Sequence, residues 1–237
     1  MRSATVSSRS AGARRASAAR PGRDADRTRA SILAAATHEF ARHGLGGARV
    51  DRIADRARSN KSMLYYYLDN KEDLFLAVLE RVYADIRAAE QDLNLLDGSP
   101  VNGVRRLIAF TWRYFLEHPE FLTLLNSENL HEARHLKRSR HIRAMNSPLI
   151  ATLAELLRRG RRAGVFRDGV DPLQLYISIA ALSYFFLSNN HTLSTVFGRD
   201  LFAPTERRTR LAHMTGLVLG FLASPRRAPA TRRSAGR

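Results

Sequence analysis

The chain has 237 residues, of which 39 are Lys or Arg and 22 are Asp or Glu, so its formal charge is +17 with neutral histidines. The hydrophobic fraction of 44% is too high for a chain that is disordered throughout, and the length allows one large domain or two smaller ones. Because the sequence contains no cysteine, disulfide bonds, thiolate nucleophiles and Cys-ligated zinc or iron–sulfur sites are excluded.

The chain begins with a basic segment of low complexity. The first 30 residues contain eight arginines against two aspartates and are rich in Ser and Ala. Such a composition buries too little apolar surface to offset the entropy of ordering, so residues 1–27 are predicted to be a disordered basic tail that binds a polyanion. Two alternatives stay open. An organellar transit peptide has a similar composition, and a merely solvated tail is typical of a proteome that prefers Arg, which supplies 36 of the 39 basic residues here.

Three helical segments follow the tail. Apolar residues recur at three- and four-residue spacings in each, Gly44 ends the first, and Asn60 is a good N-cap for the third. Two short helices joined by a tight turn and packed on a preceding helix form a helix-turn-helix unit, whose last helix fits the DNA major groove. We therefore predict a DNA-binding domain at 28–73. Its predicted helices are 28–43, 50–57 and 61–67.

The remaining chain is also predicted to be helical, because it shows no sustained alternation of period two. Pro119, Pro172 and Pro204 lie where the first turn of a helix tolerates proline. Pro148 lies inside a helical pattern and should either kink or split that helix. The longest apolar stretch, 173–187, is shorter than the roughly 18 residues that span a bilayer, so we predict no transmembrane helix. The predicted helices are 71–93, 101–117, 119–132, 140–164, 172–189 and 204–223.

These elements define an all-α fold. A larger helical domain covers 74–223 and follows the DNA-binding domain. Residues 224–237 contain five arginines and no acidic residue, so they are predicted to be a second disordered basic tail.

A dense set of positions between Arg29 and Leu79 matches a known family. They are Ile32-Leu33-Ala34-Ala35-Ala36, Phe40, Gly44, Ile53-Ala54, Ala57, Lys61, Leu64-Tyr65-Tyr66-Tyr67-Leu68, Lys71-Glu72 and Leu74. With these residues the chain resembles the TetR family of bacterial transcriptional repressors. The resemblance implies a homodimer that binds a palindromic DNA operator and is released from it by a small-molecule effector. It also implies a cytoplasmic, nucleoid-associated protein.

The resemblance assigns roles to the third helix, 61–67, as the recognition helix. The side chains of this helix, together with Lys71 at the start of the next one, would contact either base edges or phosphates. The residues aimed at base edges would be Lys61, Ser62, Met63 and Tyr65, and those that hold phosphates would be Tyr66, Tyr67 and Lys71.

Five positions depart from the family pattern. Arg58 stands where the turn usually has Gly, and a non-Gly residue with positive φ costs about 1 kcal/mol. Ser59 replaces a usual apolar residue, and Arg49 stands near the position of a Thr that commonly helps the second helix contact DNA. We expect Arg49 to bind a phosphate directly. Tyr67 and Leu68 replace the usual His and Phe, so no operator sequence is transferred from a relative.

The C-terminal half resembles, less specifically, the subgroup of this family that contains the pyrimidine-utilisation regulator RutR. The resemblance implies a ligand-binding and dimerisation domain, in which helices 172–189 and 204–223 form a four-helix bundle with those of a second subunit. It also makes a small nitrogen heterocycle the first effector to consider. The matching segments are 126–131, 164–167, 170–172 and 189–193.

Aromatic and amide side chains within 101–189 are candidates for an effector site. Aromatic residues could line a cavity and asparagines could orient the ligand. The alternative also stays open, because aromatic stripes on helices are commonly core and asparagines commonly cap helices. The candidates are Trp112, Phe115, Asn126, Asn129, Tyr176, Tyr184 and Phe185.

One motif points to a different function. The run His131-Glu132-Ala133-Arg134-His135 matches the zincin motif, in which two histidines one helical turn apart bind zinc and the glutamate activates water. Arg138 stands where a metzincin needs Gly, and no strand is predicted that could hold a substrate. We therefore predict no cofactor, no metal site and no enzymatic activity, with solvated or locally hydrogen-bonded histidines on a basic surface.

Three alternatives to this assignment stay open. The first is a metal-dependent hydrolase that uses His131 and His135. The second is a non-catalytic metal site that uses Glu128 or these histidines. The third is a non-specific nucleic-acid-binding protein that relies on its tails.

Overall fold

The computed structural model describes residues 21–67 and 69–224, and this part of the chain folds into ten α-helices without a β-strand. The all-α prediction is therefore confirmed. Within the same residues we find no helix whose length and apolar character would allow it to span a bilayer. The helices are α1 (Pro21–Gly47), α2 (Val50–Ala57), α3 (Lys61–Tyr67), α4 (Lys71–Gln91), α5 (Pro100–Glu117), α6 (Pro119–Leu130), α7 (Ile142–Arg162), α8 (Pro172–Ser188), α9 (Asn190–Phe197) and α10 (Pro204–Leu222).

Some of the sequence predictions lie outside the described residues. They concern the basic segments 1–20 and 225–237, Leu68, and the side chain of Tyr67. The disorder, transit-peptide and polyanion predictions for the two segments stay predictions.

The first three helices form the predicted tri-helical unit around one small core. Ile32 and Phe40 of α1, Ile53 of α2 and Leu64 of α3 are all buried in it. Their burial follows from the three- and four-residue spacing of these apolar positions, which places them on the inner face of each helix.

α1 differs from the predicted helix 28–43 at its N-terminal end only. The helix begins at Pro21, so residues 21–27, which the sequence analysis assigned to the tail, form its first turns. At the other end the backbone leaves helical geometry at Gly44, which has φ +63°. Glycine adopts this conformation without the steric penalty of a Cβ atom, and the predicted helix end is correct.

α4 connects the tri-helical unit to the larger domain. Phe75 in its first half packs edge-to-face on Phe40 of α1, with ring centroids 5.1 Å apart. Its second half packs against α7, and the core of the larger domain lies between α5, α7, α8 and α10. Fully buried residues of this core include Leu107, Leu153, Ile179 and Met214.

Two details of the larger domain depart from the predicted helices, and a third excludes one of the two alternatives that the sequence left open at Pro148. α6 ends at Leu130, because Glu132 and Ala133 adopt positive φ values of 53° and 57°. α7 continues through the exposed Pro148, so this proline does not split the helix. α9 was not predicted as a separate helix.

Candidate functional site

The turn between α2 and α3 keeps a left-handed geometry despite its arginine. Arg58 has φ 51° and ψ 42°, and its backbone N–H donates to the Asp55 carbonyl at 3.1 Å. Asn60 caps α3 as predicted, because its Oδ1 atom accepts from the Met63 N–H at 2.8 Å. The turn therefore needs no glycine, at a conformational cost of about 1 kcal/mol.

α3 presents most of the predicted DNA contacts on one outer surface. Leu64 points into the core, and Met63 is half-buried. Tyr65 and Tyr66 have 51% and 78% of their surface exposed. Lys61 and Ser62 are exposed as well. These exposed side chains lie on the side of α3 that faces away from the core, where a DNA duplex could approach.

Lys61 is held by an acidic neighbour on α2. Its Nζ atom forms an ion pair with Asp51 Oδ1, and both side chains are about half-exposed. This hydrogen bond raises the pKa of Lys61 and lowers the pKa of Asp51. Because the pair is solvated, exchanging the Asp51 carboxylate for a DNA group should cost little.

Glu39 of α1 fixes the start of α2, a role that the sequence analysis missed. This residue is only 5% exposed, and its Oε1 atom accepts from the Arg49 N–H at 3.0 Å and from Arg52 Nε at 2.7 Å. Burial opposes ionisation, but these hydrogen bonds and the Arg52 charge hold the pKa of Glu39 below its ordinary value. A signal was present, since Glu39 lies seven residues after Ile32 on the buried side of α1.

Two predicted phosphate ligands lie beside the loop between α1 and α2. Arg49 precedes α2 and is exposed. Lys71 Nζ is 3.4 Å from the carbonyl oxygen of the neighbouring Ala48. The two cations therefore flank one stretch of backbone, next to the outer surface of α3.

The zincin-like segment is a structural turn. Glu128 is 1% exposed, and its carboxylate accepts from the backbone N–H groups of His135 and Leu136, both at 2.9 Å. The ring of His135 is 2% exposed, and its Nδ1 atom lies 2.6 Å from the same carboxylate. The expectation that these histidines lie on the surface is therefore wrong for His135. Arg134 donates to its Nε2 atom at 3.3 Å, so neither ring nitrogen faces outward.

The geometry of this turn does not support a metal site. His131 bonds the carbonyl of Ser127 at 2.7 Å, and the positive φ values of Glu132 and Ala133 break the helix that a zincin needs. Among residues 21–67 and 69–224, no three His, Asp or Glu side chains are placed to share an ion. His135 instead packs on Phe75, with ring centroids 5.1 Å apart, and so joins the end of α6 to α4.

The seven predicted effector residues do not form one site. Trp112 and Phe115 are buried in the core. Tyr184 donates a hydrogen bond to Asn126, and Tyr176 accepts one from Arg87 at 2.5 Å. Asn129 and Phe185 are exposed. The physical reason is that α8 has two apolar sides, and only the side with Tyr176 and Tyr184 faces inward.

A buried ion pair on α4 was missed by the sequence analysis. Arg87 and Glu90 are 6% and 3% exposed, and Arg87 Nη1 lies 2.7 Å from Glu90 Oε2. Burial raises the pKa of Glu90 to about 7, although the Arg87 charge acts in the opposite direction. Both residues line a cavity of about 240 Å³ between α4, the loop after it and α7. Charged residues at this spacing are usual on solvated helix faces, so the sequence did not indicate their burial.

Both halves of the chain match families of known bacterial regulatory proteins. Residues 32–78 match the family described as "Bacterial regulatory proteins, tetR family", and residues 100–218 match "Tetracyclin repressor-like, C-terminal domain". The HTH-type transcriptional repressor NicS of Pseudomonas putida is 40% identical over 195 residues, which cover 82% of this chain and 92% of that protein.

Two further proteins are similar to this chain, over different shares of its length. The HTH-type transcriptional regulator RutR of Escherichia coli is 31% identical over 100 residues, which cover 42% of this chain and 47% of that protein. The crystal structure of a TetR family transcription regulator from Marinobacter aquaeolei is similar with a TM-score of 0.65 and 25% identity. That match covers 87% of this chain and 100% of the other.

Proposed function

Because the chain belongs to the TetR family of bacterial regulators, we propose that a homodimer of it places two copies of α3 in successive major grooves of an inverted-repeat operator. Like its relatives, the chain is a ligand-responsive DNA-binding transcriptional regulator and not an enzyme. The observation that carries the proposed mode of binding is the exposed outer surface of α3, held in place by the Asn60 cap and the buried Leu64.

The proposed DNA contacts are those that the family resemblance implies, and the described side chains among them lie where such contacts are possible. Residues on the outer surface of α3 reach base edges, and cations at its border bind phosphates. Lys61 exchanges Asp51 for a base edge when the operator binds. The proposed base contacts are Lys61, Ser62, Met63 and Tyr65, and the proposed phosphate contacts are Arg49, Tyr66, Tyr67 and Lys71.

The proposed dimer interface is the outer face of α8 and α10. Large apolar side chains on this face are about half-exposed in the single chain, and apolar patches of this kind mark sites of association. A two-fold axis across the face would build the predicted four-helix bundle from helices 172–189 and 204–223. The apolar residues are Leu173, Ile177 and Phe185 on α8, with Leu217 and Phe221 on α10.

The proposed effector is a small nitrogen heterocycle that binds the larger domain, 74–223, and releases the DNA-binding domain, 28–73, from the operator. Support comes from the resemblance of the C-terminal half to the subgroup that contains RutR. A hundredfold loss of operator affinity requires about 2.7 kcal/mol of coupling between the two sites. The basic segments at the two ends of the chain, 1–20 and 225–237, would add phosphate contacts, and the protein would act on the nucleoid in the bacterial cytoplasm.

Selection of bound sequences from random duplex DNA tests this function. We would use the full chain in about 150 mM salt with excess non-specific competitor, because these conditions suppress binding through the tails. We expect an enriched inverted repeat that disappears in a Tyr65→Ala, Lys71→Ala double variant. The variant Arg113→Ala, which changes an exposed residue of α5, should still select it.

A second arm separates specific binding from binding through the tails. A chain without residues 1–20 and 225–237 should select the same repeat with lower affinity. If no repeat is enriched and trimming abolishes binding, the chain is a non-specific nucleic-acid-binding protein and the proposed operator does not exist.

A further inference from the structure

We propose that Asp51 on α2 determines part of the operator sequence. Together with Lys61 it selects a G·C base pair, and its carboxylate accepts a hydrogen bond from the amino group of the cytosine. The inference deepens the proposed function and rests on it, because it requires α3 to lie in the major groove. It adds a side chain of α2 to the base contacts, which the family resemblance assigned only to α3.

The first argument is the position of Asp51. It is the second residue of α2, and its carboxylate forms the ion pair with Lys61, the first residue of α3. About half of each side chain is exposed. α3 itself contains no acidic residue. Asp51 therefore places a carboxylate at the border of the outer surface of α3, close to any duplex that Lys61 contacts.

The second argument is the charge of Asp51. The hydrogen bond from Lys61 holds the pKa of Asp51 below its ordinary value, and the charges of Lys61 and Arg49 act in the same direction. The carboxylate is therefore ionised at neutral pH, and in this form it accepts hydrogen bonds but donates none. It repels phosphates, so only a donor on a base can satisfy it. The donors in the major groove are the amino groups of cytosine and adenine.

The third argument is the effect of DNA binding on the ion pair. When Lys61 contacts a base edge, Asp51 loses its partner. The exchange costs little only if the freed carboxylate also finds a new donor, because the duplex excludes water from it. The base pair that Lys61 contacts must therefore present an acceptor to Lys61 and, beside it, a donor to Asp51.

The fourth argument is the pattern of groups in the major groove. In a G·C pair the guanine O6 acceptor and the cytosine amino group are hydrogen-bonded to each other, so they lie about 2.9 Å apart. This spacing suits two side chains that are in contact in the free chain. Guanine also offers N7 beside O6, so the ammonium of Lys61 gains two acceptors. In an A·T pair the neighbouring acceptor is a single thymine oxygen beside a methyl group, and the contact therefore favours G·C.

The alternative role of the ion pair is structural, as a link between α2 and α3. Exposed ion pairs contribute little to stability, and Ile53 of α2 and Leu64 of α3 are already buried in one core. A structural link would affect the binding of all DNA sequences alike, whereas base readout affects one position of each half-site. The two roles therefore predict different results.

Affinities of the full chain for single-base-pair variants of the selected operator test the inference. Each change is made in one half-site, in about 150 mM salt. The wild type should require G·C at one position of each half-site, and replacing this pair by A·T should weaken binding at least about fivefold. In Asp51→Ala the same replacement should weaken binding less than about twofold, because Lys61 without its partner is a flexible cation that is free to bind phosphates.

Asp55→Ala is the matched control. It removes the same charge from the same helix one turn later, and Asp55 is exposed while the Lys61 ammonium bonds Asp51. Loss of a negative charge near DNA strengthens binding to every sequence, so the ratio of two affinities isolates the base readout. Asp55→Ala should keep the preference for G·C at full strength.

Two further variants locate the readout. Lys61→Ala should lose the preference at the same position, and the double variant Asp51→Ala, Lys61→Ala should lose no more there than either single variant, because the two residues act as one unit. Asp51→Asn keeps the shape of the side chain and serves if Asp51→Ala fails to fold. It should shift the preference from G·C towards A·T, because an amide pairs with adenine.

The outcomes are distinct from a failure of the proposed function. If the wild type selects an inverted repeat and Asp51→Ala keeps its base preference, the inference is overturned and the regulator function stands. A uniform change across all sequences in Asp51→Ala, equal behaviour of Asp51→Ala and Asp55→Ala, or an A·T pair at the position that Lys61→Ala affects also overturns it. If the wild type selects no repeat, the proposed function fails and the inference fails with it.

Discussion

Glu39 is the residue on which the orientation of α2 depends. Its carboxylate is buried and accepts from the Arg49 N–H and from the Arg52 side chain, so α1 and α2 share one polar anchor. Replacing Arg52 with Met would leave this buried carboxylate with a single donor. We expect Arg52→Met to lower the free energy of unfolding by about 2 kcal/mol at pH 7, measured by urea denaturation.

The matched control is Arg56→Met, an exposed arginine on the same helix, which should change stability by less than about 0.5 kcal/mol. The pH dependence provides a second check. Because the folded pKa of Glu39 is lowered, its ionised form stabilises the native state above the ordinary Glu value of 4.5. This contribution is lost as the pH falls through the folded pKa. Equal effects of Arg52→Met and Arg56→Met would contradict the role of Glu39 as a polar anchor between α1 and α2.

Lys61 and Arg49 should respond differently to substitution. Lys61 is proposed to contact a base edge, so Lys61→Ala should lower operator affinity by about 1–3 kcal/mol and relax the sequence preference at one position. Arg49 is proposed to contact a phosphate, so Arg49→Ala should weaken all sequences alike. It should also make the slope of log K against log salt shallower by about 1. Affinities for variant operators at several salt concentrations measure both effects, and identical behaviour of the two variants would refute the assignment.

Glu90 should give the protein an unusual pH dependence. Its pKa is about 7 in the folded chain and near 4.5 when exposed, so the native state binds the proton more tightly. The contribution of Glu90 to stability is therefore greatest below pH 4.5, and it falls as the pH rises to about 7. The change amounts to about 3 kcal/mol. Tyr114 and Tyr176 face the pair but stay neutral, because burial raises the pKa of both.

Denaturation of the wild type and of Glu90→Gln between pH 5 and 8 measures this contribution. The wild type should lose stability relative to Glu90→Gln over this range, whereas Glu117→Gln should follow the wild type. Parallel curves for the wild type and Glu90→Gln would show that Glu90 does not titrate near pH 7.

At the scale of elements, the turn after α6 explains why a local motif was misleading. The zincin spacing requires a continuous helix, but the chain leaves the helix at residue 131 and adopts left-handed φ values at Glu132 and Ala133. The turn is organised by Glu128, which precedes the motif. Its carboxylate accepts from the backbone N–H groups of His135, the last residue of the motif, and of Leu136. A pattern of five residues cannot show which residue outside it accepts hydrogen bonds from the backbone of the turn.

Close packing at the end of α7 is a second feature at this scale. A Cβ atom on Gly160 would lie 1.9 Å from the ring of Phe166, which is buried against this helix. We expect Gly160→Ala to lower the free energy of unfolding by about 2 kcal/mol, because the ring must move out of a filled core. Gly46→Ala is the control, since a Cβ atom there would meet nothing within 4 Å. Thermal unfolding of both variants measures the difference in stability. If Gly160→Ala leaves the stability unchanged, the close packing of Phe166 against Gly160 is contradicted.

At the scale of the whole molecule, local signals predicted the helices better than the sites. The predicted Asn60 cap bonds as its sequence position suggests, and Asn70 caps α4 in the same way, because a cap depends on residues two or three positions away. The cavity was not predicted, because its charged pair on α4 meets α7 and α8 only in the folded chain. Phe185 was predicted as an effector-site residue together with Tyr176 and Tyr184, but it faces outward, because residue type alone does not show which side of α8 meets the core.

At the same scale, the proposed dimer depends on a surface that two helices build together. Ile177 and Phe185 are 47% and 57% exposed on the proposed interface, and a two-fold axis would bring each substitution into the interface twice. We therefore expect Ile177→Glu, Phe185→Glu to sediment as a monomer in analytical ultracentrifugation. Its operator affinity should fall at least about a hundredfold, because two half-sites are no longer bound as one unit.

A control of equal chemistry separates this effect from a loss of surface hydrophobicity. Leu130, at the end of α6, is 84% exposed and lies outside the proposed interface. Leu130→Glu should leave both the sedimentation and the operator affinity unchanged. If the double variant stays dimeric and binds the operator normally, a face other than that of α8 and α10 holds the two copies of α3 at the spacing of the operator.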